Sequence, residues 1–129
     1  MKIFISILAL ASFLFSAELN WNDDYDKALV DAKAQKKDVY MLITSSDCRW
    51  CRKFESTTLQ DSSVIDRLEQ QYVLLHLNRD IDFIPEGYKK KRVPRHYFLT
   101  EEGEIIYSFL GAWNKEDFFS FLKDVDEKR

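Results

Sequence analysis

Ser45-Ser46-Asp47-Cys48-Arg49-Trp50-Cys51-Arg52-Lys53-Phe54 decides the reading of this chain, because it holds the only two cysteines among 129 residues and spaces them two residues apart. The preceding run, Asp38 to Thr44, is β-branched and apolar (Val39, Tyr40, Leu42, Ile43), the pattern of a buried strand. Ser45-Ser46-Asp47 then supplies turn and cap chemistry, so Cys48 is expected at the N-terminus of a helix running to about Thr57. Two thiols at that spacing can close and reopen as a disulfide, the first sulfur attacking and the second resolving the mixed disulfide. A purely structural bridge is disfavoured, since so small a ring removes little unfolded-state entropy.

Toward the N-terminus, Asn22 to Lys37 places Tyr25, Ala28, Leu29 and Ala32 at helical spacing behind a cap at Asn22 or Asp23. Toward the C-terminus, Asp61-Ser62-Ser63 caps a helix ending near Gln71, and Tyr72 to Leu77 reads as a second buried strand. A polar loop, Asn78 to Arg92, carries Pro85-Glu86-Gly87 and the basic run Lys89-Lys90-Lys91-Arg92. Strands at Tyr97 to Thr100 and Glu104 to Leu110 flank the turn Glu101-Glu102-Gly103, and Asn114 caps a last helix with Phe118, Phe119, Phe121 and Leu122 on its core face. Helices covering a small mixed sheet make this an α/β layer fold.

An apolar fraction of 46 % and an aromatic fraction of 15 % suffice for one core, and the net charge of −3 lacks the basic footprint of a nucleic-acid binder. Residues 1–17 stand apart from that core. Lys2, the apolar run Ile3 to Phe15 and Ser16-Ala17 have the three-part form of a secretory signal peptide, leaving a domain at 18–129. The run is short of the roughly 20 apolar residues of a membrane span, although an uncleaved anchor is the alternative. A periplasmic or secreted protein is therefore expected. Trp113 is read as core.

Thiolate, not thiol, attacks a disulfide, and the free thiol with a pKa of about 8.5 is mostly protonated at neutral pH. Cys48 at a helix start meets the positive end of the macrodipole and unpaired N–H groups, and Arg49, Arg52 and Lys53 add positive charge, against which Asp47 acts. These factors give Cys48 the attacking role and leave Cys51, one turn further on, as the resolving thiol. Arg49 and Trp50, between the sulfurs, are expected to touch the partner. Lys89 to Arg92, with Arg95, is either an ordinary solvated face or a basic rim that steers acidic partners.

Strand, Cys-x-x-Cys, helix, strand, loop, Val93-Pro94, hairpin and last helix occur in an order that resembles the thioredoxin superfamily. Cys51-Arg52-Lys53-Phe54-Glu55-Ser56-Thr57-Thr58, followed by Asp61 and Val64, resembles its exported branch, which includes the C-terminal domain of the membrane thiol reductase DsbD. The resemblance implies a thioredoxin-like mixed sheet flanked by helices and a protein-disulfide oxidoreductase. It also makes Gly103 and Gly111 the hairpin and final-strand glycines, and Val93-Pro94 a cis-proline loop whose Val93 backbone pairs with bound polypeptide. Pro94 at the start of an edge strand is the simpler alternative. Many thioredoxins carry a buried acid six residues before the first cysteine, where this chain has Leu42. Glu55, four residues beyond Cys51, is then a candidate proton acceptor, or else a surface carboxylate paired with a lysine or arginine.

The expected catalytic set is Cys48, Cys51, Pro94 and Glu55, with Arg49, Trp50 and Val93 as contacts and no cofactor beyond the Cys48–Cys51 disulfide. Partners would be thiols and disulfides of exported proteins, with a membrane thiol reductase as one electron donor, and the protein a monomer. The resemblance favours a reductase or electron relay, whereas thiolate stabilisation by Arg49 favours an oxidase or isomerase. A metal-binding or delivery module, using the two cysteines with His76 and His96, is the alternative of another class.

Overall fold

β2 (Asp38–Thr44) is the spine on which the rest is hung: all seven of its residues are buried. In the computed structural model, which describes residues 19–89 and 91–129, it pairs in parallel with β3 (Tyr72–Asn78) and antiparallel with β4 (Arg95–Leu99). β1 (Trp21–Asn22) adds a short parallel edge on β3, and β5 (Ile105–Leu110) an antiparallel edge on β4, giving the order β1-β3-β2-β4-β5. The mixed sheet is flanked by α1 (Tyr25–Gln35), α2 (Arg49–Ser56), α3 (Ser62–Gln71) and α4 (Lys115–Lys128), with a 3₁₀ turn at Thr58–Gln60. This is the thioredoxin-like architecture. The signal peptide expected at 1–17, and Lys90, lie outside the described residues.

Alternation along β2 divides the core. Val39, Met41 and Ile43 join Ala28 and Ala32 of α1, while Tyr40 and Leu42 join Phe54 of α2, Val64 and Leu68 of α3, and Phe118 and Leu122 of α4. Burial on both faces explains why the strand reads as a continuous apolar run.

Caps set the helix starts. Asp61 accepts from the N–H groups of Ser63 and Val64, and Asn114 from that of Asp117, both as expected. The first helix begins later than expected, at Tyr25, because Asp24 is the residue whose carboxylate reaches the Lys27 N–H, and Asn22 is drawn into β1. Arg95 and His96 extend β4 two residues before the expected start, through pairing with β2. Trp113 is not core: it is 38 % exposed, held over Phe121 with its indole N–H on the Leu110 carbonyl. Phe119 and Phe121 are half-buried, and Val125 completes the buried face of α4.

Candidate functional site

Cys48 closes the loop after β2 and caps α2. Its backbone is extended and its Sγ accepts the Cys51 N–H at 3.1 Å. The two sulfurs are joined as a disulfide, with Cys48 8 % exposed and Cys51 1 % exposed. The more exposed of the two cysteines is thus the one at the helix terminus, and a thiolate there inherits an N–H donor already aimed at it. No acid stands in the first turn of α2.

The loop holding Cys48 is stitched to the end of β3. The Ser46 N–H donates to Asp80 Oδ2 at 2.8 Å, the Arg79 N–H to the Thr44 carbonyl at 2.9 Å, and Asn78 Nδ2 to Ser46 Oγ at 3.2 Å. The Val93-Pro94 bond is cis. The Pro94 carbonyl accepts the Gly111 N–H at 2.9 Å, which ties this loop to the residue just after β5. Gly111 sits at φ +122°, a conformation that favours glycine, and a Cβ there would lie 3.0 Å from Trp113 Nε1, so the indole would have to shift.

An open groove of about 540 Å³ brings Cys48, Arg49, Trp50 and Val93 together with Arg79, Lys91 and Arg92. Trp50 is 51 % exposed, with Arg49 and Lys53 each 5.2 Å from its ring centroid. The expected basic rim is only partly realised. Lys89 pairs with Glu86, and Arg95 lies over the Tyr97 ring, whereas Arg79 enters unannounced, because contact with the groove depends on where β3 ends.

Leu42 occupies the level at which many thioredoxins carry the buried acid, and it is flanked in register by His76 of β3 and His96 of β4. His96 is fully buried. Its Nε2 lies 2.8 Å from the Gly111 carbonyl, an obligate acceptor, so Nε2 carries the proton and Nδ1 accepts from the Tyr40 hydroxyl at 2.6 Å. Burial pushes its pKa down to about 3, and burial likewise raises that of Tyr40, with the Glu55 charge adding to the rise. Both nitrogens being engaged, His96 has no lone pair to offer a metal beside Cys48, and no group of three His, Cys, Asp or Glu that could hold an ion occurs among the described residues.

His76 lies at the edge of a hollow of about 380 Å³ lined also by Trp21, Glu55, Leu59 and Ile65. Its Nε2 is 2.8 Å from Thr44 Oγ1 and 3.4 Å from Glu55 Oε1. Burial lowers its pKa, with Glu55 and then Asp82 opposing, so the ring is neutral at neutral pH and Glu55 has no cationic partner in it. Among the described residues Glu55 forms no lysine or arginine pair, contrary to the alternative expected for it.

The model of the thioredoxin-like domain family matches residues 25–126. A thioredoxin from Thermus thermophilus is 26 % identical with a TM-score of 0.70, over 83 % of this chain and 86 % of that one. The fold is shared with DsbH oxidoreductase (23 % identity, TM-score 0.69, 88 % of each chain). It is shared too with the oxidised C-terminal domain of Neisseria meningitidis DsbD (15 %, 0.67, 81 % of this chain and 98 % of that one). No curated protein matches the sequence.

Proposed function

This chain belongs to the thioredoxin-like family and is a thiol-disulfide oxidoreductase with its redox pair at Cys48 and Cys51, and from that premise we propose that it serves outside the cytoplasm as a reductase or electron relay. The observation that carries the chemistry is the Cys48 Sγ held at the start of α2 on the Cys51 N–H. In the reduced protein the Cys48 thiolate attacks one sulfur of a partner disulfide, forming a mixed disulfide and expelling one partner thiolate, which takes up a proton. Cys51 then loses its proton and attacks Cys48 Sγ. The second partner thiolate leaves, and the protein retains the Cys48–Cys51 disulfide. Two electrons have passed to the partner, and a donor dithiol must return them.

Glu55 is the proton acceptor for Cys51 in this scheme. It lies one turn beyond Cys51 on α2, half-exposed at the mouth of the His76 hollow, with a neutral imidazole as its neighbour. The Val93 backbone, next to the Pro94 bond, pairs with the partner chain, and Trp50 and Arg49 touch it. Export is supported by the signal-like residues 1–17, and no described helix is long and apolar enough to cross a membrane. No bound cofactor takes part, and the protein acts as a monomer.

Trapping tests the scheme. Cys51→Ser is expected to accumulate mixed disulfides through Cys48 with exported proteins, while the native protein reduces insulin disulfides when supplied with dithiothreitol. A native protein that leaves insulin unreduced, together with an empty trap, would overturn it.

A further inference from the structure

The groove beside Cys48 concentrates positive charge that the rest of this net −3 chain does not neutralise. Arg49, Arg79, Lys91 and Arg92 all line it, and among the described residues Asp47 is the only acid on its wall. Among the described residues none of these four cations is in an ion pair. Arg67, Lys89, Lys115 and Arg129, elsewhere on the surface, each have a carboxylate within reach. The Arg79 guanidinium donates instead to the Lys91 carbonyl at 3.1 Å, which fixes its position without cancelling its charge.

We infer that this groove seats an acidic polypeptide segment flanking the partner's reactive cysteine, so that the protein chooses among disulfides by their charge. The inference rests on the oxidoreductase reading above. All four cations are exposed, so their attraction is screened beyond about 8 Å at physiological ionic strength and acts mainly on the rate of encounter. The half-exposed Trp50 ring puts apolar surface beside the charges, a mixture that suits a chain of residues better than a bare carboxylate.

Three peptide disulfides of equal length, flanked by glutamates, by serines or by lysines, test this against the reduced full-length protein, with the rate constant of mixed-disulfide formation as readout. The acidic peptide is expected to react about tenfold faster than the basic one at low salt, with the ratio collapsing toward one at high salt. Lys91→Glu/Arg92→Glu reverses the order, and leaving Arg79 intact keeps its bond to residue 91. Lys33→Glu/Lys128→Glu, the first beside Asp38 at the start of β2 and the second over the Tyr107 ring, neither of them lining the groove, leaves the ratio unchanged. Equal rates for the three peptides, or a ratio indifferent to Lys91→Glu/Arg92→Glu, overturns the inference. So does an equal salt-sensitive preference for oxidised glutathione over a neutral small disulfide, because the groove would then read a small anion. Failure to react with the serine-flanked peptide at all would instead count against the oxidoreductase scheme.

Discussion

His96 and His76 flank Leu42 at one level of the sheet and face the same helical layer, yet they live in opposite conditions. On the β4 side, His96 is enclosed by Phe54, Phe109 and Phe118 and saturated by Tyr40 and Gly111. On the β3 side, the sheet is bordered among the described residues by the two residues of β1, and His76 looks past Trp21 into an open hollow with Glu55. The β4 side is built to hold the loop that carries Pro94, and the β3 side leaves room for a proton to move. Access and unspent hydrogen-bonding capacity separate the two sites, since residue type and strand position are the same.

The largest effect that would break this contrast is expected at His96. His96→Leu orphans the buried Tyr40 hydroxyl and Gly111 carbonyl and should cost about 3 kcal/mol of stability in denaturant unfolding. A loss as small as that for an exposed residue would show the cage to be unimportant.

The pH dependence sharpens the same point. A histidine held at about 3 in the folded state, against an ordinary 6.5, binds its proton more readily when unfolded. Its contribution is therefore full above pH 6.5 and falls on acidification toward 3, by up to about 1.4 kcal/mol per pH unit. The stability gap between the native protein and His96→Leu should narrow over that window, and a constant gap would contradict the neutral, saturated ring.

On the open side the effects are kinetic. Glu55→Gln is expected to slow resolution of a mixed disulfide preformed at Cys48 by about tenfold to a hundredfold, seen as release of the second thiol in stopped flow, with stability hardly altered. Unchanged kinetics would remove Glu55 from the mechanism. The smallest change is expected for His76→Gln, under about 1 kcal/mol in unfolding, because the half-buried ring gives up one hydrogen bond to Thr44 and water can replace it.

Local signals carried much of this in the sequence. The Cys48 and Cys51 spacing, the apolar run of β2, and the caps Asp61 and Asn114 each depend on neighbours within a few residues. β1 was not legible, because two residues show no periodicity and Trp21-Asn22 becomes a strand only by lying on Leu74 and Leu75. The placement of Glu55 beside the neutral His76 depends on how the fold brings α2 to β3, and the entry of Arg79 into the groove on where β3 ends. Trp113 misled because an aromatic residue beside a core helix reads as core, while its indole N–H is satisfied at the surface.

The stretch between β3 and β4 is pinned by the buried Ile84 and by Tyr88 against Tyr97, while Arg79, Lys91 and Arg92 project from its ends into solvent. Catalytic geometry and client choice therefore rest on different residues. Lys91 and Arg92 can be exchanged for other residues, changing the clients that the groove selects, without disturbing the strand that aims Cys48 or the core beneath it.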